Sequence, residues 1–114
     1  MKLNLKYNAT RVDEIEKARQ LPIENCVGDS SINMLTLFLQ KGLIDDNGVH
    51  GVSKAVAMNT IDEYLKENDK TDLLLDIIEA LVDAGFLSRE LDVESIRKAQ
   101  TSRIAQAKTM IENI

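Results

Sequence analysis

The chain has 114 residues with one cysteine, one histidine and no tryptophan, and its net charge at pH 7 is −5. This length fits a single domain, and the lone Cys26 excludes a disulfide scaffold or a cysteine-based zinc site within one chain. The acidic balance also predicts no nucleic-acid partner, because such a surface repels phosphate backbones.

The N-terminus carries an alternating pattern rather than a targeting signal. It lacks the continuous apolar run of a signal peptide, and no run in the chain approaches the ~20 apolar residues of a membrane span. We therefore expect a cytoplasmic protein with no membrane partner, and Cys26 as a small apolar filler. Leu3, Leu5 and Tyr7 alternate with polar residues, and this period of two predicts a short β-strand that pairs with another segment or another copy, or lies on the helices.

The first helix is predicted to begin with a capping pair formed by Thr10 and Asp13 and to run to about Gln20. Pro22 ends it, because proline cannot continue a helix and restricts the residue before it. Residues 22–30 then read as a loop.

A second helix is predicted over residues 31–41, with Gly42 as its stop. The turn at Asp45–Gly48 contains carboxylates, but its spacing does not match a calcium-binding loop, so no metal is expected there. His50 is the only histidine, and we expect it in a solvent-exposed loop because no nucleophile is paired with it.

The third helix begins near Ser53 and precedes residues 71–87, with which it is expected to form an antiparallel hairpin. The apolar residues expected on its packed face are Val52, Val56, Ile61, Tyr64 and Leu65.

Residues 71–87 form the strongest helical pattern, with Thr71 as its predicted cap and Gly85 as its stop. We expect this helix to be the centre of the fold, with a core formed by Leu73, Leu74, Ile77, Ile78, Leu81 and Phe86. Residues 62–83 carry eight acidic and two basic residues. This surface is either a solvated face that keeps the protein soluble or an attractant for a basic partner.

The last segment has a thin apolar seam. Its residues are Ile104, Ala107, Ile111 and Ile114. It could pack on the domain, but we favour a protruding helix that contacts a partner or another copy. The predicted organisation is a mostly α fold. It consists of a helical core domain at residues 1–91, a compact bundle of four to five helices with a short N-terminal strand, and a C-terminal helix at residues 92–114.

No pattern in the chain predicts an enzyme, a cofactor or a metal site. The glycines stand singly, so there is no phosphate-binding loop, and neither zinc spacing nor a nucleophile motif is present.

The order of segments resembles a known family. A strand at residues 3–7, a helix ending near a proline, residues 31–43, Ile61–Leu65 and Ile77–Leu87 together resemble the tail assembly chaperones of long-tailed, siphovirus-type phages and prophages of Gram-positive bacteria. The resemblance covers residues 1–87, and the last of these segments carries most of it.

That resemblance implies a small, helical, non-enzymatic protein of the bacterial host cytoplasm. Such proteins cover the aggregation-prone tape-measure protein and help to recruit tail-tube subunits. We therefore expect the tape-measure protein, the tail-tube protein and further copies of the chain as partners. The N-terminal strand and the seam at 104–114 are the expected contact surfaces. The alternative is a small acidic inhibitor or antitoxin-like protein that masks a basic surface, for which we expect a one-to-one complex with strong salt sensitivity.

Overall fold

The computed structural model describes residues 3–45 and 48–88. This part of the chain is mostly helical, which confirms the predicted fold class. Its helices are α1 (Ala9–Arg19), α2 (Ile23–Cys26), α3 (Ile32–Gly42), α4 (Lys54–Tyr64) and α5 (Lys70–Asp83). The predicted C-terminal helix, and with it the predicted boundary between residues 91 and 92, lies outside the described residues.

Helix α3 lies at the centre of the described fold. Ser31 caps it, since the Ser31 hydroxyl accepts a hydrogen bond from the Met34 N–H at 3.2 Å. The helix packs against α1, α4 and α5, and it is buried on more than one side through Met34, Leu35, Thr36, Phe38 and Leu39. The expectation that residues 71–87 form the centre is therefore corrected, because α5 packs mainly through one face while α3 contacts three other helices.

The cap of helix α5 lies two residues before the predicted cap, Thr71. The Asp69 carboxylate accepts from the Asp72 N–H at 2.8 Å, and the Asp72 carboxylate accepts from the Asp69 N–H at 3.2 Å. This reciprocal capping box satisfies two amides that a helix start would otherwise leave unpaired. Asp69, rather than Thr71, is therefore the cap.

The end of α5 follows the predicted stop. Gly85 has φ +89°, a left-handed conformation that favours glycine. The Phe86 N–H donates to the Leu81 carbonyl at 2.9 Å, which closes the last turn. The predicted core positions of this helix are buried, and Phe86 is partly buried against them: Leu73, Leu74, Ile77, Ile78 and Leu81.

Helix α1 is capped by Asn8 rather than by the predicted Thr10. The Asn8 side-chain oxygen accepts from the Arg11 N–H at 2.9 Å. Asparagine is among the best capping residues, so it starts the helix before Thr10 is reached. Asp13 instead pairs with Lys17 one turn further on, at 2.9 Å.

The predicted loop at residues 22–30 contains a short helix, α2. Ile23 and Cys26 are one turn apart and both are buried. The turn forms because it places both apolar side chains in the core, which a fully extended loop would not do.

Helix α4 is capped by the Ser53 hydroxyl, which accepts from the Val56 N–H at 3.2 Å. Ala57, Ile61 and Tyr64 form its buried face. Val56 is 48% exposed, so its expected place on that face is wrong. The Tyr64 hydroxyl donates to the Asp76 carboxylate at 2.7 Å, and this bond connects α4 to α5.

An ion-pair cluster joins α1 to α3. The Glu14 carboxylate lies 2.6 Å from the Lys41 ammonium and 3.5 Å from the Arg11 guanidinium. The hydrogen bond from Lys41, and then the positive charge of Lys41, hold the pKa of Glu14 below its usual range. The charged form of Glu14 is thus favoured in the folded state.

This cluster predicts an acid-dependent loss of stability. A carboxylate whose pKa is lowered by folding stabilises the fold above its unfolded pKa, about 4.3 for glutamate, and that contribution is lost as the pH falls through the folded value. We expect Glu14→Gln to flatten the pH dependence of the unfolding free energy below about pH 5. Urea unfolding at several pH values measures this. An unchanged slope in Glu14→Gln, or the same flattening in the exposed control Glu24→Gln, would contradict it.

Candidate functional site

The N-terminal residues 3–7, which we call the arm, pair with the chain just after α3. Leu5 forms an antiparallel bridge with Leu43. The Lys6 N–H donates to the Gly42 carbonyl at 2.9 Å, and the Ile44 N–H donates to the Asn4 carbonyl at 3.1 Å. Among the described residues the predicted strand is therefore a single β-bridge to a segment of the same chain, with no sheet around it.

Tyr7 holds the end of the arm in the core. It is only 6% exposed, and its hydroxyl donates to the Phe38 carbonyl at 2.9 Å. The Tyr7 and Phe38 rings meet edge to face, with centroids 6.4 Å apart. Burial raises the pKa of the Tyr7 phenol well above its usual range, so the phenol stays neutral and donates this bond.

Tyr7 can lie there because residue 42 is a glycine. A Cβ on Gly42 would come within 2.6 Å of the Tyr7 Cε1 atom, which is far inside van der Waals contact. The sequence pattern predicted that Gly42 follows α3 and stops it, but in the structure Gly42 is still helical and is the last residue of α3. Its structural role is to make room for the tyrosine ring.

A groove of about 570 Å³ lies between the arm and α5. All five arm residues form one wall. The other wall is the outward face of α5 together with the residue that follows it, through Asp76, Glu79, Ala80, Asp83 and Ala84. We call it the arm–α5 groove, and among the described residues it combines apolar surface, small side chains and charge in one concave site.

The charge of the groove is predominantly negative. Asp76, Glu79 and Asp83 follow one another at helical spacing along the α5 wall, whereas Lys6 is the cation that lines the arm wall. Asp76 is fixed by the Tyr64 hydroxyl, while Glu79 and Asp83 are exposed. Ala80 lies between Glu79 and Asp83 and Ala84 follows Asp83, and neither alanine side chain projects far into the groove. This arrangement favours a positively charged occupant that also offers apolar surface.

The arm residues that we expected to contact a partner are packed against the core of the same chain. Leu3 and Leu5 are half-buried and pack against the core, and Tyr7 is inside it. The hypothesis that these residues contact a partner rested on their lacking obvious internal partners, and the structure supplies such partners. Ile104, Ala107, Ile111 and Ile114 lie outside the described residues.

His50 supports the arm from its other side. Its Nε2 atom lies 2.6 Å from the Lys6 carbonyl oxygen, and its own carbonyl accepts from the Arg11 guanidinium at 3.0 Å. It is half-buried, whereas the sequence reading placed it in solvent. Sequence reasoning missed this contact, because residues 6 and 50 are joined only by the tertiary fold.

We also searched the described residues for a metal site, a reactive thiol and a membrane-spanning helix. No group of three or more His, Cys, Asp or Glu residues there could hold a metal ion. Cys26 is buried, and burial raises the pKa of its thiol, which disfavours the reactive thiolate. Within residues 3–45 and 48–88, no helix has the length and apolar character needed to cross a membrane.

Comparison of the chain with protein-family models, with curated proteins and with solved structures gives no match. We therefore infer a function from the arm–α5 groove and from the family resemblance of residues 1–87.

Proposed function

We propose that the chain is a non-enzymatic tail assembly chaperone of a long-tailed phage or prophage. In this role it binds the tape-measure protein, keeps it soluble in the host cytoplasm and helps to recruit tail-tube subunits. The observation that carries the proposal is the arm–α5 groove, a concave surface with half-buried leucines on one side and three carboxylates on the other. Such a surface suits polypeptide binding better than chemistry on a small molecule.

Such a chaperone must bind the client and also keep the complex soluble. A tape-measure protein is a very long helical chain whose apolar stripes are exposed until the tail tube surrounds it. A small chaperone that contacts it through apolar surface shields those stripes from one another. Its remaining acidic surface keeps the complex in solution, because like charges repel. Many copies are needed for one long client, so self-association along the client belongs to this proposal.

Co-expression tests the proposal directly. As the client we choose the product of a very large helical open reading frame just downstream of the gene, where the proposal expects the tape-measure protein to be encoded. We expect it to be insoluble alone, to become soluble with the chain, and to purify with many copies of the chain. An unrelated acidic helical protein of similar size is the control. A client that stays insoluble, or equal rescue by the control, would refute the proposal.

A second candidate is a small acidic inhibitor or antitoxin-like protein, which the three groove carboxylates favour. It would mask a basic surface of one partner. This candidate predicts a one-to-one complex that dissociates steeply with salt, because exposed charge pairs are screened. The chaperone predicts many copies per client and a weaker salt dependence. Light scattering at low and high ionic strength separates the two.

A further inference from the structure

The arm has one backbone edge that the described fold does not use. Leu5 and Leu43 form the type of antiparallel pair whose flanking residues make the hydrogen bonds: Lys6 donates to Gly42, and Ile44 donates to Asn4. In this arrangement the N–H and C=O of Leu5 point away from the partner strand. Neither group has a hydrogen-bond partner among the described residues.

This unused edge borders the arm–α5 groove. Residues 42–44 lie along the first edge of the arm and do not line the groove, whereas α5 does. Both the inward-facing residues of the arm and its outward-facing residues Asn4 and Lys6 line the groove, so it lies along the edge to which the Leu5 backbone groups point. A further strand would lie about 4.8 Å from the arm. The groove has a volume of about 570 Å³, and on its opposite wall the side chains of Ala80 and Ala84 do not extend beyond Cβ.

We propose that an extended, basic segment of a partner polypeptide adds to the arm as a β-strand in this groove. One of its residues exchanges two hydrogen bonds with the N–H and C=O of Leu5. Its lysine or arginine side chains approach Asp76, Glu79 and Asp83. In strand addition, main-chain hydrogen bonds provide affinity and side-chain contacts provide specificity. The free backbone groups of Leu5 and the groove carboxylates offer both kinds of interaction. The inference rests on the proposed function only in that the partner is a polypeptide, and it places in the groove an extended segment of that partner rather than one of its helical stretches.

A helical segment would use the site less well. The backbone groups of a helix interior are bonded within the helix, so a helix cannot bond to the N–H and C=O of Leu5. An acidic strand would meet three carboxylates across the groove. The backbone edge thus selects an extended occupant, and the charge selects a basic one.

A synthetic peptide tests the inference on the full chain. The probe is an acetylated and amidated heptapeptide that alternates lysine and valine, titrated by NMR. We expect shifts centred on residues 3–7 and 76–84, and slower amide exchange at Leu5 by roughly tenfold at saturation. Three control peptides are used. The first has an N-methyl group at the central valine, which removes a donor and keeps the charge. The second has glutamate in place of lysine, and the third is a lysine–alanine helix of equal charge.

Variants of the chain provide the second comparison. Glu79→Gln with Asp83→Asn removes two exposed groove charges, and we expect peptide affinity to fall about fivefold. The matched control is Glu24→Gln with Asp62→Asn, which removes two exposed charges outside the groove. Equal losses in both pairs, or binding by the N-methylated or helical peptide as tight as by the probe, would overturn the inference. So would the absence of any shift at millimolar probe.

The outcomes separate this inference from the proposed function. If the unaltered chain solubilises the tape-measure protein but Glu79→Gln with Asp83→Asn leaves the affinity for the probe unchanged, the groove inference is contradicted and the chaperone proposal stands. If the unaltered chain binds the probe at the groove but never rescues the client, the inference is supported and the chaperone proposal is refuted.

Discussion

Phe38→Ala is expected to lower the free energy of unfolding by about 3–5 kcal/mol, the usual range for removing a buried aromatic ring. Phe38 is fully buried in α3, the helix that contacts α1, α4 and α5. Truncation leaves a cavity at the centre of the bundle and removes the edge-to-face contact with Tyr7. Urea denaturation followed by circular dichroism measures the loss.

The control for this substitution is Met58→Ala in α4. Met58 is 42% exposed, and surface truncations typically change stability by less than about 0.5 kcal/mol. A loss below about 1 kcal/mol for Phe38→Ala would contradict the central position of α3, as would a loss equal to that of the control.

Gly42→Ala is expected to destabilise the protein by about 1–3 kcal/mol, as overpacking of a core does. The sign of this change in the free energy of unfolding is informative, because alanine in place of a helical glycine normally stabilises a protein by up to about 1 kcal/mol. Here a Cβ would run into the Tyr7 ring. The added atom therefore displaces either the ring or the end of α3.

Two comparisons make the Gly42 prediction specific. Gly28→Ala is the matched control, because the nearest atom to its added Cβ is the Asn25 carbonyl oxygen at 3.6 Å, an ordinary contact. In a Tyr7→Ala background, Gly42→Ala should lose most of its cost, since the two sites are coupled through one contact. Equal costs of Gly42→Ala with and without the Tyr7 ring would show that the glycine serves another purpose.

Local signals in the sequence predicted the helices well where they were unambiguous. The predicted helix starts near Ser31 and Ser53 agree with the structure, in which these serines cap α3 and α4, and Gly85 follows the end of α5 in a left-handed conformation as predicted. The errors arose where two capping residues stood close together. Asn8 precedes Thr10 and Asp69 precedes Thr71, and in each pair the earlier residue is the cap in the structure.

The groove could not be predicted in the same way. Its walls come from residues 3–7 and 76–84, which are separated by most of the described chain, and no periodic pattern reports which distant segments meet. The sequence did indicate that the arm was extended and that α5 had an acidic face. That the two face each other depends on Tyr7 lying beneath Gly42, a contact that only the tertiary fold reveals.

Hydrogen–deuterium exchange of the full chain, alone and bound to the co-expressed client, tests most directly where a polypeptide binds. If polypeptides bind between the arm and α5, we expect slower exchange in the bound state at residues 3–7, with the α5 face at 76–84 also protected and α2 unchanged. Protection confined to other surfaces, with exchange at the arm unaltered by the client, would contradict it.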